Sequence, residues 1–273
     1  MTRAVTGTLK YTSLVVASVV TLLPLGLILF GSFKTGQEFL ATNPFALPES
    51  WTFDNYVTAF TRGGMALGFL NTVIIFAAAI AGTILIGAAT AYAIDRFSFV
   101  GRGAVLNLFL LATLVPGVTT QVATFQIVNG LGLYNTRWAL ILLFMGTDII
   151  SVYIFLQFMR AIPRSLDEAA MIEGAGHLRI FFQIILPNLK PAVATVVIIK
   201  GIGIYNEFFL PFLYLPDPDL RPISTSLFAF KGPFGSQWEI ISAGVVITIV
   251  PILVLFLFLQ KYIYNGFTAG ATK

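Results

Sequence analysis

The sequence predicts an all-α integral membrane protein with six transmembrane helices. Charge depletion, long apolar runs and the placement of Lys and Arg all point to it. Only 10% of the 273 residues are charged and 57% are hydrophobic, with a mean hydropathy of +0.89, whereas a soluble domain carries about 25% charged residues. Apolar runs cover 11–31, 69–94, 104–128, 138–159, 191–213 and 240–263. Each is close to the roughly 20 residues that a tilted helix needs to cross hydrocarbon. A transmembrane β-barrel would instead show alternating segments of about ten residues, and these runs have no period of two.

The first run follows Arg3 and Lys10, as a secretory signal would. Its length, its Pro24 and the lack of a small-residue cleavage site make it a retained first span. In the second run Ala78 and Gly82, and then Gly87 and Ala91, stand four apart on one helical face. Such faces let helices approach closely in lipid, and packing within this subunit is expected of them before a subunit interface. Pro116-Gly117 in the third run, and Gly201 and Gly203 in the fifth, mark helix distortions that need neighbouring protein or water to satisfy freed backbone groups.

With the N-terminus inside, the cytoplasmic segments hold ten basic residues (Arg3, Lys10, Arg96, Arg102, Arg160, Arg164, Arg179, Lys190, Lys261, Lys273). The outer segments hold five (Lys34, Arg62, Arg137, Arg221, Lys231). That asymmetry satisfies the positive-inside rule and places both termini in the cytoplasm of a multi-pass protein. The net charge of +4 sits in short loops rather than on a solvated basic face, which argues against nucleic acid. Cysteine is absent, so disulfides and thiolate metal sites are excluded. His177, the single histidine, cannot build a metal site by itself.

The longest cytoplasmic segment, 160–190, reads as two short helices around a glycine bend. Ser165-Leu166-Asp167-Glu168 has the spacing of a capping box, which starts a helix at Ser165. That helix runs through Ile172 and stops at Gly174 or Gly176, since glycine takes the left-handed conformation at helix ends without penalty. A second helix carrying Leu178, Ile180, Phe181, Ile184 and Ile185 is expected to end just before Pro187. Each helix is amphipathic and too short to stand alone, so both need a surface to dock on.

Glu168-Ala169-Ala170, then Gly174, then Ile184-Ile185-Leu186-Pro187 at their spacings resemble the EAA loop of ATP-binding-cassette importer permeases. Further residues are similar to the maltose-type (MalG-like) carbohydrate permeases, the inner-membrane components of binding-protein-dependent transport. These are Asn55-Tyr56, Asn71-Thr72-Val73, Tyr92 to Phe97 with Gly101-Arg102, Gly132 to Asn135, Tyr205 to Phe208, and the tail from Gln260 through Gly270. Tyr205 and Asp95 depart from that pattern, where the family usually has tryptophan and alanine. The resemblance spans essentially the whole chain and implies one transmembrane domain over 1–273. The implied fold is that of a type I ABC importer permease, six transmembrane helices with a cytoplasmic EAA coupling helix. It implies a coupling loop whose Glu168, Ala169, Ala170, Gly174, Ile184, Leu186 and Pro187 meet the ATPase, with Ala169, Ala170 and Gly174 forming the close-fitting surface. Glu168 would offer its carboxylate to a basic ATPase residue, or cap its own helix, or both.

The implied assembly is a second, homologous permease, two ATPase subunits and an extracytoplasmic sugar-binding protein in a bacterial or archaeal cytoplasmic membrane. The implied substrate is a di- or oligosaccharide, with glycerol phosphate as the alternative. No phosphate-binding loop occurs in this chain, so it needs no cofactor of its own, and ATP and Mg would be bound by the partner ATPase. For the sugar pathway the candidates are Gln121, Gln126, Asn206 and Glu207, whose amides and carboxylate suit hydroxyl-rich ligands. Capping of distorted helices, or contact between the two permeases, accounts for the same residues equally well. Two other classes compete. An intramembrane enzyme would use Asp148, Lys200 and Glu207, since ionisable residues at membrane depth are functional suspects, but no nucleophile motif or metal cluster accompanies them. An ion-coupled secondary transporter would show internal repeats and a buried carboxylate relay, and neither is seen.

Overall fold

A computed structural model describes the backbone of residues 2–146, 149–232 and 235–271, with side-chain surroundings over 8–146, 149–232, 235–254 and 257. In chain order the helices are α1 Thr2–Gly31, α2 Gly36–Ala41, α3 Asp54–Arg62, α4 Met65–Arg96, α5 Arg102–Thr113, α6 Gln121–Gly130, α7 Arg137–Met145 and α8 Ile149–Met159. They continue with α9 Ser165–Ile172, α10 His177–Ile180, α11 Leu186–Asn188, α12 Lys190–Asn206, α13 Phe209–Tyr214, α14 Ile223–Ser226 and α15 Trp238–Ala271. A two-residue antiparallel hairpin, β1 Lys231–Gly232 with β2 Gly235–Ser236, pairs Lys231 with Ser236. The chain divides into two compact units, Met1–Gly68 with Thr225–Phe258 and Phe69–Ser224 with Leu259–Lys273.

Two helices among the described residues are long and apolar enough to cross a membrane unbroken, Thr8–Gly31 within α1 and Met65–Arg96. The third run is broken at the expected Pro116-Gly117 distortion, and the fourth is divided into α7 and α8. The fifth is broken at Glu207 and not at Gly201 and Gly203, which lie within α12. In the third run Pro116 has no amide and its ring clashes with the carbonyl one turn back, so α5 and α6 are separate. The hydroxyls of Thr119 and Thr120 donate to the carbonyls of Pro116 (2.6 Å) and Gly117 (3.0 Å), supplying partners where the helix cannot. In the fifth run Pro211 acts in the same way. Glu207 turns extended at the end of α12, and its carboxylate accepts from the amides of Phe209 (2.9 Å) and Leu210 (3.2 Å), capping α13.

In the first unit Asn55 Nδ2 donates to the carbonyls of Ser32 (2.9 Å) and Lys34 (2.8 Å) just beyond α1. The Tyr56 ring packs at a tilt against Phe33, 5.2 Å between centroids, and its hydroxyl shares a 2.6 Å hydrogen bond with Ser32. In the second unit Asn71 Nδ2 donates to the carbonyls of Asp219 (2.9 Å) and Arg221 (3.0 Å), and its Oδ1 accepts from Arg137 Nε at 2.8 Å. Asn135 takes a left-handed φ of 57° and its side chain accepts from the amide of Asp217 at 3.2 Å. These side chains stitch loops to helix ends, a task the sequence motifs did not disclose.

The small-residue face of α4 packs within the second unit, as expected. A Cβ at Gly82 would lie 3.0 Å from Met145 Cβ, and one at Gly87 would lie 3.1 Å from the Phe155 ring. Leucine at Gly87 must therefore overpack a ring that cannot retreat, at a cost of about 1–3 kcal/mol. Thermal unfolding in detergent should show Gly87→Leu melting below the parent. Gly103→Leu, at a position where a Cβ meets nothing within 4 Å, should melt with the parent.

Candidate functional site

Residues 160–190 fold as two helical arms around a bend, but the first arm is not started by a capping box. Arg164 is already helical (φ −66°, ψ −23°) and no side chain caps the helix, so Ser165 lies inside the first turn and cannot serve as the extended N-cap. The first amides instead donate to backbone, Asp167 to Arg164 O at 3.0 Å and Leu166 to Pro163 O at 3.3 Å. Gly174 supplies the bend with φ +82°, a region that costs other residues about 1–2 kcal/mol. The second arm does not stop before Pro187. A π-helical turn over Phe181–Ile185 sends the Leu186 amide to Phe181 O, and the widened ladder lets Pro187, which has no amide, sit inside helical backbone. The chain then bends by 71° between His177–Asn188 and Lys190–Asn206.

One face of this hairpin is anchored inward. Ala170, Ile180, Phe181 and Ile185 are buried with Ala88, Ala91, Tyr92, Phe155 and Met159, and Ile184 and Leu186 pack against the same cluster. Ala170 therefore cannot be part of a close-fitting outer surface. It stands three residues from Asp167, also buried, so the two share the inner face. The outer face holds Glu168, Ala169, Met171, Ile172, Gly174 and Leu178, with Ile172 88% and Leu178 76% exposed. The Glu168 side chain makes no hydrogen bond or ion pair among the described residues, its amide alone donating to Arg164 O at 3.1 Å, so the capping role drops out. Pro187 is exposed, and His177 lies edge-on to Phe97 at 4.9 Å.

A buried charge cluster ties the loop to the end of α4. Arg96 Nη1 is 2.7 Å from Asp95 Oδ2, and Arg96 Nη2 is 3.1 Å from Asp167 Oδ2, with the arginine side chain 8% and the Asp167 side chain 6% exposed. Nη2 also donates to Ile162 O at 2.9 Å, and Arg164 Nη2 donates back to Asp95 O at 2.7 Å. Tyr92, one turn before Arg96, places its ring 5.5 Å from Phe181 of the second arm. Asp95, Arg96, Arg164 and Asp167 were not singled out as site residues from sequence. The signal available was an Asp-Arg pair at the close of an apolar run, where a charge inside protein needs a partner.

The four pathway candidates are not gathered into one site. Gln121 Nε2 donates to Tyr214 Oη at 2.9 Å, Glu207 caps α13, and Asn206 donates to Ile202 O at 3.0 Å. Gln126 is exposed, and none of the four bonds to another. Lys200 is half-buried in α12, while Asp148 lies outside the described residues.

Residues 74–268 match the family described as binding-protein-dependent transport system inner membrane component. The chain belongs to that family. Relatives of this inner membrane component include the diacetylchitobiose uptake system permease NgcG of Streptomyces coelicolor, 33% identical over 97% of this chain and 88% of that protein. The galactooligosaccharides transport system permease GanQ of Bacillus subtilis is 35% identical over 97% of this chain and 94% of its own length. A bacterial ABC transporter that imports the acidic polysaccharide alginate has a chain of the same fold, with a TM-score of 0.83 at 19% identity over 96% of this chain and 98% of that one. The fold is thus the type I ABC importer permease fold, and the loop and its charge cluster lie wholly within the family match.

Because the Gly174 Cβ position is open, substitution there tests backbone conformation before packing. Gly174→Asn, which tolerates left-handed φ, should melt close to the parent in detergent. Gly174→Val, β-branched and disfavoured in that region, should melt below it.

Proposed function

We propose that this chain is one permease subunit of an ATP-driven, binding-protein-dependent importer of a di- or oligosaccharide, and that the outer face of 160–190 docks on a cytoplasmic ATPase. The observation that carries the docking is the division of the loop into two faces. The inner one is tied by buried charge and aromatic contact to α4, and the outer one leaves Ile172 and Leu178 bare on a hairpin too short to need them for its own folding. Apolar side chains so exposed beside a glycine bend and a small Ala169 suit a shallow cleft on a partner. Glu168, whose carboxylate has no partner among the described residues, is available to a basic residue of that cleft. The sugar class rests on the relatives named above and on the arabinooligosaccharides permease AraQ of Halalkalibacterium halodurans, 31% identical over 93% of this chain.

In this reading the six apolar runs are six spans, both termini are cytoplasmic, and a second permease, two ATPase subunits and an external binding protein complete the machine. This chain supplies half of the pathway, and ATP with Mg is bound by the ATPase. In this reading the breaks at Pro116 and Glu207, together with the Gln121–Tyr214 hydrogen bond, would offer polar groups with which a hydroxyl-rich ligand could exchange hydrogen bonds.

Two measurements test it. A reporter inserted near Gly174 should read cytoplasmic and one near Asp219 external, and the reverse would overturn the orientation. Ile172→Asp should insert and assemble with the second permease but retain at least about tenfold less ATPase, the equivalent of about 1.4 kcal/mol; full retention would refute docking through this face.

A further inference from the structure

We propose that Tyr92, Arg96 and Asp167 form a two-position latch that carries movement of the 160–190 loop to α4, and this rests on the docking of that loop on an ATPase. Four buried side-chain atoms among the described residues have no hydrogen-bond partner, and they are Tyr92 Oη, Arg96 Nε, Asp167 Oδ1 and Asp167 Oδ2. All four belong to this one cluster. Buried polar atoms are almost always paired, and each left unpaired carries a desolvation penalty. Here the unpaired atoms match in kind, two donors on α4 against two acceptors on the loop.

Asp167 approaches Arg96 at 3.1 Å, an ion-pair distance, yet neither carboxylate oxygen accepts an aligned bond. Tyr92 and Arg96 are four residues apart on one face of α4, the face against which the loop is packed. A small shift of the first arm would let Asp167 accept from Arg96 Nε and from Tyr92 Oη, completing all four atoms. The arrangement observed holds Arg96 on Asp95 and on Ile162 O instead. The cluster thus has a second arrangement in which the atoms left unpaired here are satisfied, and a discrete element of that kind is what coupling between distant sites requires.

The direction of transmission follows from the breaks in the chain. The loop meets α12 through a 71° bend and leaves α8 through the turn at Ala161–Pro163. Its charged and aromatic contacts, by contrast, go to the last turn of a single unbroken helix, Met65–Arg96. Movement of the loop therefore reaches the second apolar run through Arg96.

The test is Tyr92→Phe beside Asp167→Asn, each reconstituted with the partner permease, ATPase and binding protein. The Tyr92 hydroxyl makes no bond in this structure, so its removal should leave the amount of assembled complex unchanged. The latch predicts that sugar transported per ATP hydrolysed falls about tenfold in both variants, within the roughly 5- to 150-fold span of coupling between sites. A cysteine placed at Val73 of this cysteine-free chain should change its maleimide labelling rate on adding ATP and loaded binding protein in the parent, and not in the variants. Parental transport per ATP in Tyr92→Phe would overturn the latch, as would losses that merely follow the amount of complex recovered. A parent complex that retains no ATPase would instead refute the docking reading on which the latch rests.

Discussion

Inside hydrocarbon no water can bond a backbone amide or carbonyl, so every such group must find its partner in the protein. That constraint explains more of this structure than hydrophobicity does. It makes the long runs helical, and it explains why the breaks at Pro116 and Glu207 carry their own polar side chains. The carbonyls at the Pro116 break receive threonine hydroxyls. The amides that open α13 receive the Glu207 carboxylate. Residues that look like candidate substrate ligands in a list of polar positions are in these cases the partners of a broken ladder. Glu207 is the clearest instance, and its capping bonds leave its second oxygen to meet anything else.

The loop at 160–190 obeys a different economy. Its two short arms cannot persist as isolated helices, and their apolar inner face contributes by burial in the cluster around Tyr92, Phe155 and Met159. Burial of Arg96 with two carboxylates is harder to justify on stability alone. Replacing a whole buried ionic group by well-packed apolar residues is often neutral or stabilising, whereas deleting one member costs about 3–5 kcal/mol. A cluster that is costly to build and costly to damage is one whose value lies in what it specifies. Here it specifies which turn of α4 the loop rests on, because only that turn offers a guanidinium at reach of Asp167, Asp95 and Ile162 O together.

The division of the loop into faces also shows where local patterns stop being informative. Serine followed three residues later by glutamate is a sound start signal, yet the preceding Pro163-Arg164 turn had already entered helical geometry and pushed Ser165 inside. Proline is a sound stop signal, yet the π-helical turn absorbs Pro187 by sending the Leu186 amide back to Phe181 O. Both misreadings have one cause, a neighbouring segment that altered the backbone before the signal residue could act. The glycine bend was legible to within two residues, Gly174 or Gly176, because a positive φ, found at Gly174, is met by the residue itself and depends on nothing distant.

Sequence alone determined that the chain is helical and membrane-embedded, where its apolar runs lie, and that 160–190 is a two-armed loop with a glycine bend. These properties follow from composition and from periods of a few residues, which are read within one segment. Only the tertiary structure decided that Ala170 and Asp167 turn inward while Glu168 and Ala169 turn outward, that the fifth run breaks at Glu207 and not at its glycines, and that Arg96 joins the loop to α4. A helix has a repeat but no intrinsic phase relative to its neighbours. Which of its faces is buried is therefore settled by packing against residues some 70 positions away, a relation that no single segment of the chain contains.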